Sequence, residues 1–463
     1  MRLRLQPVRL APALAPVLQG VIRALALAAA VFALTGAARA QLEVDVTEGH
    51  LDPLPIAIPD FTGESAQAEE AGADIVRVIA NNLERSGLFE PLDQDAYIEQ
   101  IENIDLRPRF SDWRVINASA LLVGRVEVGE DGRLLVGFRL WDTAAEQQLL
   151  GLQFASVPEN WRRVAHKISD AVYERLTGET GYFDTRIVYV AEGEGPNGEP
   201  TRRLAIMDQD GANPSFLTER SYMALLPHYS PTDQQITFVS FRGGEATTYL
   251  YDLATGRQEA LFDMGPGLAG EGQSLSARFH PNGRTIAVGA QRRGQHDIFS
   301  FDLRTRQIRQ LTTHPADDIE PSFAPDGERI AFSSSRGASS QIYVMGADGS
   351  EPQRISFGEG RYTAPAWSPR GDLVAFVKQH QGRFMLGVVD ADGSGEERIL
   401  YDGFFVDTPT WSPNGRVILF TRGEPSPNGT QYAIWSVDLA GFNLRRLPTR
   451  GAASDPAWSP LID

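Results

Sequence analysis

Seven histidines are the natural place to look for chemistry in this chain, because imidazole titrates near neutrality and ligates metals. They stand at 50, 166, 228, 280, 296, 314 and 380, and no two have the i,i+4 spacing that sets a metal-ligand pair on one helix face. Cysteine is absent, which removes thiolate nucleophiles, thiolate ligands and disulfides together. There is no Gly-x-Ser-x-Gly elbow and no glycine-rich phosphate loop ahead of a helix. His314, Asp317, Asp318 and Glu320 could hold a cation, although polar loops use the same residue types. The residues point away from catalysis; neither a cofactor nor a metal is expected.

What recurs instead is a pattern of prolines, rings and cations. "APAWSPRGDLVAF" (364–376) returns as "TPTWSPNGRVILF" (408–420) and "DPAWSPLID" (455–463), and more loosely at 226–238, 276–288 and 320–332. The second proline falls at 231, 281, 325, 369, 413 and 460, at spacings of 50, 44, 44, 44 and 47 residues. Units in the forties with several short strands are blades of a β-propeller. Ser-Pro-Asn-Gly fits a type I turn, with proline fixing φ at the second corner and glycine relieving the fourth. The ring one residue upstream (Tyr229, Phe279, Phe323, Trp367, Trp411, Trp458) fills the wedge between blades. A second string, such as "LGVVDADG" (386–393), runs a strand through an Asp into a hairpin turn; Gly346 replaces that Asp in one copy and predicts a different turn there.

The first second-string copy (204–211) lacks a preceding proline motif, and the last proline motif lacks a following string. Joined, they make one blade. Residues 454–460 are therefore expected to pair with 185–192 and to close a ring of six blades over 182–463, leaving no open edge.

Ahead of the ring, residues 54–178 mix periods. A short strand (54–61) precedes a helix over 64–86 with Ile75, Val78, Ile79 and Leu83 on one face and Gly87 at its end. A hairpin spans 119–142 around Asp131-Gly132, a third strand covers 147–157, and a helix through Trp161 to Leu176 closes the unit. The fold class is thus a small N-terminal α/β domain followed by an all-β six-bladed propeller closed by the C-terminal strand. Residues 1–40 carry basic residues, an apolar run (24–34) and Ala38-Arg39-Ala40, and read as a secretory signal peptide. Without them the chain holds 38 basic and 60 acidic groups, formally −22, a surface that repels nucleic acid. A periplasmic monomer that does not span the membrane is expected.

In a propeller the inner strand lines the channel, so residues just before each proline motif sit at a mouth. That places Ser276, Ile319, Glu320, Tyr362, Thr363, Phe404, Phe405 and Asp407 there. Arg242, Arg292, Arg336, Lys378 and Arg422 follow the second strands and open on the same face, where mixed charge and rings favour recognition. The segment 41–53 alternates Leu42, Val44 and Val46 with polar residues, and suits either addition to a partner's sheet edge or an edge strand of its own domain.

The exported chain, the α/β domain, the repeat "P-x-W-S-P-[DN]-G…I-A-F…I-Y-V-M", the ending "DPAWSP" and "LPIAIPDF" (54–61) together resemble the TolB family of the Tol–Pal cell-envelope system. The resemblance spans residues 41–463. It implies a non-enzymatic adaptor whose propeller mouth binds the lipoprotein Pal and whose N-terminal segment and domain engage TolA, supporting outer-membrane integrity and invagination at division. Carried over by motif, the contact positions are Gln273 and Ser276, in a loop (265–281) where Ala277 replaces the expected proline, and Ile319 in the next loop. A propeller enzyme, or a binder of small ligands or Ca²⁺ acting on envelope glycans or peptides, is the competing class; a buried carboxylate pair with split pKa values in the channel would favour it.

Overall fold

The computed structural model describes residues 42, 44 and 52–462, apart from 243, 245, 262–273, 293 and 428. The expected signal peptide (1–40), Val46 and Gln273 lie outside the described residues.

The N-terminal unit is a sheet of β1 (Leu54–Ala57), β2 (Thr62–Gly63), β3 (Phe89–Pro91), β4 (Ala120–Val128), β5 (Leu134–Asp142) and β6 (Gln147–Ser156). Its order is β3-β1-β4-β5-β6, with β2 beside β4. β1 pairs in parallel with β3 and β4, and β4 through β6 form the antiparallel run expected around Asp131-Gly132. Alternation along β1 and β4 sends Ile56, Ala120 and Leu122 to one face and Ala57, Leu121 and Val123 to the other. The first face is covered by α1 (Ala66–Arg85) and the last helix, Trp161–Thr177; between them the sequence reading missed α2 (Phe110–Val115), whose Trp113 plugs the second face. Six residues are too few to show a helical period.

Ser65 Oγ accepts from the Ala68 N–H to cap α1, and Gly87 at φ +76° ends it. The helix Trp161–Thr177, here α3, buries Val164, Ile168, Val172 and Leu176 on one stripe and stops at Gly178 in the left-handed region.

Beyond it stand six four-stranded sheets. Their inner strands are Ala224–Tyr229, Ser274–Phe279, Asp318–Phe323, Arg361–Trp367, Phe405–Trp411 and Ala453–Trp458. The sixth sheet joins the two ends of the ring: Ser454 pairs with Val190 and Trp458 with Ile187. Trp458 Nε1 donates to Thr185 Oγ1 at 2.9 Å, and the indole meets Tyr182 edge-on at 5.7 Å. Ring closure therefore runs through one strand and one indole.

The motif turns behave as their residues dictate. Gly371 N–H donates to Ser368 O at 2.9 Å and Gly415 N–H to Ser412 O at 2.8 Å, both glycines having positive φ. The hairpin at Gly346 corrects the sequence reading. Its bonds, Gly349 N–H to Gly346 O and Gly346 N–H to Ser350 O, repeat those at Asp208, where Gly211 N–H reaches Asp208 O. The turns that differ are at Asp252 and Asp302, where the N–H of Gly256 and Arg306 reaches back four residues rather than three. Turn length, set by "LATG" and "LRTR", decides the type; the side chain at the Asp position does not.

One hydrophobic cluster runs without a break from α1 and α3 into the propeller, taking in Ile79, Ile168, Tyr182, Ile187, Val417, Leu447 and Trp458. Polar bonds frame it. Gln209 Nε2 donates to Asn82 Oδ1 (2.8 Å), Asn443 Nδ2 to Arg85 O (2.8 Å), and Glu179 pairs with Arg370 and Arg416 from two proline turns.

Candidate functional site

The two mouths of the channel are unlike. The inner strands end at one mouth in their rings and proline turns, and the α/β unit binds turns on that side through Glu179, Gln209 and Asn443. The opposite mouth is where the inner strands begin. Asp318 pairs with Ser334 and Arg361 with Gln379, so each second strand exits beside the start of its inner strand. Sequence-predicted mouth residues and second-strand cations therefore share this face.

Its backbone is built in an unusual way. Leu226, Glu320, Ala364, Thr408 and Asp455, each followed by proline, have φ between +50° and +55°. Proline excludes the preceding residue from the right-handed helical region, and here that residue takes the left-handed one at a cost of roughly 1–3 kcal/mol each. The pairing register shifts at every one of these positions, which is a β-bulge. Bulging ties neighbouring blades together inside the channel. Glu320 Oε2 accepts from Ala364 N–H at 2.7 Å and from Ser333 Oγ at 2.9 Å, and Asp455 Oδ2 accepts from Leu226 N–H at 3.1 Å. The second blade departs: Ser276-Ala277 has no proline, and its shift falls one step earlier, between Ser274 and Ser276.

Electrostatics follow from crowding acids in a narrow space. Burial pushes the Asp407 carboxyl up to about 7, with Glu320 and Asp455 adding repulsion. Burial also raises Asp455. Asp318 is fully buried; its Oδ2 accepts from Arg336 at 2.8 Å, while its Oδ1 has no partner among the described residues.

The predicted residues divide. Ile319, Glu320, Thr363, Phe405 and Asp407 line the strand starts and are partly accessible. Ser276 is there but buried, its hydroxyl without a partner. Tyr362 is not a surface contact. Its ring is fully buried against Phe376, and its hydroxyl binds Glu397, because the inner strand turns that side chain into the blade. The cations share a role that their spacing did not reveal. Arg242 lies over Tyr222 (4.6 Å), Arg336 over Tyr343 (5.0 Å), Lys378 over Tyr362 (5.1 Å) and Arg422 over Trp435 (4.2 Å). Each pegs a second-strand exit onto a ring of its own blade. Arg292 sits at a hairpin opposite Gln295.

Two rings on this face escaped the sequence reading. Phe357, 68% exposed, follows an outer strand and stacks on its Arg354, and Phe241, 40% exposed, follows a second strand; with Phe404, 55% exposed, they present apolar surface on this face. The signal was available, since an aromatic residue in a polar turn has no core to fill.

The N-terminal segment gives a different result. Val44 N–H donates to Leu176 O at 2.7 Å, Val44 is buried in the core, and Leu42 packs against it. These two residues pack on their own domain, as irregular backbone bonded to a helix end and not as an edge strand.

His314, Asp317, Asp318 and Glu320 do not converge: Asp317 meets His296, Asp318 meets Arg336, and Glu320 turns to Ala364. Among the described residues the ligand atoms of His166, Asp208 and Asp210 come within 4.8 Å of one another, at the junction of the two domains. Arg162 already pairs with both carboxylates, a cation standing where an ion would need to sit.

Models of known families decide the relationship. The TolB amino-terminal domain matches residues 42–149, and the TolB beta propeller domain matches residues 173–462. The chain belongs to the TolB family. A curated TolB-family relative, Tol-Pal system protein TolB of Paramagnetospirillum magneticum, is 49% identical over 252 residues, 53% of this chain. That match spans 56% of the relative, little more than half its length. The crystal structure of TolB from Acinetobacter baumannii superposes with a TM-score of 0.74 at 26% identity, over 91% of this chain and all of that one.

Proposed function

We propose that this protein is a periplasmic, non-enzymatic scaffold of the Tol–Pal system, docking the lipoprotein Pal at the mouth where the inner strands begin. The observation that carries this reading is the asymmetry of the ring. One face is occupied by the chain's own α/β domain, and the other offers Phe241, Phe357 and Phe404 around a strained, hydrogen-bonded and hence preorganised rim. Rigid aromatic anchors on a fixed frame are how interfaces gain affinity at low ordering cost. The candidate contacts are Ile319, Glu320, Thr363, Phe404, Phe405 and Asp407, with Arg242, Arg292, Arg336 and Arg422 as a surrounding cationic set.

TolA would be engaged through the N-terminal segment. Since Val44 is buried and bonded to Leu176, capture as an added strand requires this segment to leave its own domain first. No helix among the described residues is long and apolar enough to cross a membrane. The role would be outer-membrane integrity and its invagination during division.

A test is titration of a purified Pal periplasmic domain into wild type and a Phe357→Ser, Phe404→Ser double variant. At least tenfold weaker binding by the variant is expected; unchanged affinity would refute docking at this mouth. The second reading, a channel that binds Ca²⁺ or a small ligand, is favoured by the raised Asp407 carboxyl across from Glu320. It predicts a Ca²⁺-dependent rise in melting temperature that Asp407→Asn removes.

A further inference from the structure

The other mouth holds a cavity that scaffolding does not use. It encloses about 420 Å³ and is walled by Tyr229, Phe279, Phe323, Trp367, Trp411 and Trp458, one ring from each blade, with the proline turns as its rim. That volume falls in the range of small-molecule sites, roughly 300–1,000 Å³. Beneath the rings the next residue of each inner strand also lines the cavity: His228, Arg278, Ser322, Ala366, Thr410 and Ala457. Four of these are small and uncharged. Sixfold pseudo-symmetry is thus broken on one side, by a guanidinium and an imidazole from adjacent blades.

The Arg278 side chain has no hydrogen-bond or ion-pair partner among the described residues, in contrast to Arg336, Arg370 and Arg416, each of which holds a carboxylate. Burial draws its pKa down to about 10, and Glu320 alone opposes that shift. Glu320 stands on the next blade, with Oε2 already taken by Ala364 N–H and Ser333 Oγ. His228 is held neutral by burial and by Arg278, so it offers the cavity a dipole and Arg278 supplies the charge. A partly accessible guanidinium with no carboxylate partner, opening into an aromatic funnel, is an open anion receptor.

We propose that this cavity binds a small amphipathic carboxylate, its head group bidentate on Arg278 and its apolar body against the ring of aromatic side chains. One guanidinium above the acids Glu320, Asp407 and Asp455 matches a single negative charge and disfavours a multiply charged phosphate. Trp458 connects the site to the rest of the molecule, since it lines the cavity and packs on Tyr182 in the segment joining the two domains.

The test uses the full-length mature protein with 4-phenylbutyrate and its uncharged amide as probes, read by calorimetry and by the fluorescence of Trp367, Trp411 and Trp458. Expected is saturable one-to-one binding, with the carboxylate at least tenfold tighter than the amide, the size of one charge-assisted contact. R278Q should abolish that preference and leave the amide unchanged. Equal affinities in wild type, no saturation by either probe, or an undiminished preference in R278Q would each overturn the proposal. The wild-type comparison decides even if the variant folds poorly.

Discussion

The two mouths of one channel are made from the same repeat, yet they solve opposite problems. At the ring end the repeat is used for packing: indoles and phenyls fill the wedges, proline turns carry i to i+3 bonds, and the α/β domain is fastened on that side. At the starting end it is used for preorganisation. Five pre-proline residues hold left-handed backbone, and carboxylates strap one blade to the next. The proline turns reach positive φ only at glycines, although the neighbouring ring-end hairpins do so at Asn213, Arg306, Glu351 and Asn443; at the starting end the left-handed residues sit inside the inner strands themselves. Backbone strain survives only where surrounding structure over-determines it, and it gathers at functional surfaces. The difference teaches that one repeat can close a ring at one end and fix a bulged rim at the other, the rim where we propose recognition.

Breaking the ring end should have the largest effect. Trp458→Ala removes an indole shared by the closing strand, Tyr182 and Thr185, and a loss of about 3–5 kcal/mol is expected for a buried Trp, measured by denaturant unfolding. At the starting end, Glu320→Ala leaves Ala364 N–H without its acceptor. It should cost about 1–3 kcal/mol and also weaken partner binding, whereas Trp458→Ala should lower affinity only as far as it lowers the folded fraction. Glu179→Ala removes a partly buried carboxylate shared by Arg370 and Arg416 and should cost about 1–3 kcal/mol.

A pH titration separates the mouths in another way. Asp407 has its folded pKa raised to about 7 against about 3.9 in an unfolded chain. Its contribution is therefore complete below about pH 4, is lost progressively as pH rises toward 7, and changes no further above that. Wild type should lose stability across this window relative to Asp407→Asn. Parallel stability curves for the two would show that this carboxyl is not perturbed.

Much of the architecture was legible because it rests on repetition. The spacing of the second prolines predicts six blades, and the two unmatched half-repeats predict the pairing of Ser454 with Val190. The α/β unit was readable where a period and a cap coincide, as from Ile75 to Leu83 and at Gly87, and unreadable at Phe110–Val115, too short for a period. The candidate site was legible in position and less so in role. The offset of Arg242, Arg336, Lys378 and Arg422 placed them on one face, but only coordinates reveal the rings beneath them. Tyr362 failed for the reason Glu320 succeeded, since which side of an inner strand faces the channel is set by a bulge that one-dimensional alternation does not show.

The most direct measurement is the affinity of Pal for variants matched across the two mouths. Calorimetric titration with Phe357→Ser, Phe404→Ser should show binding weakened at least tenfold, while Trp411→Phe at the ring end binds as wild type does. The reverse pattern, or equal loss at both ends, would contradict the assignment of recognition to the face where the inner strands begin.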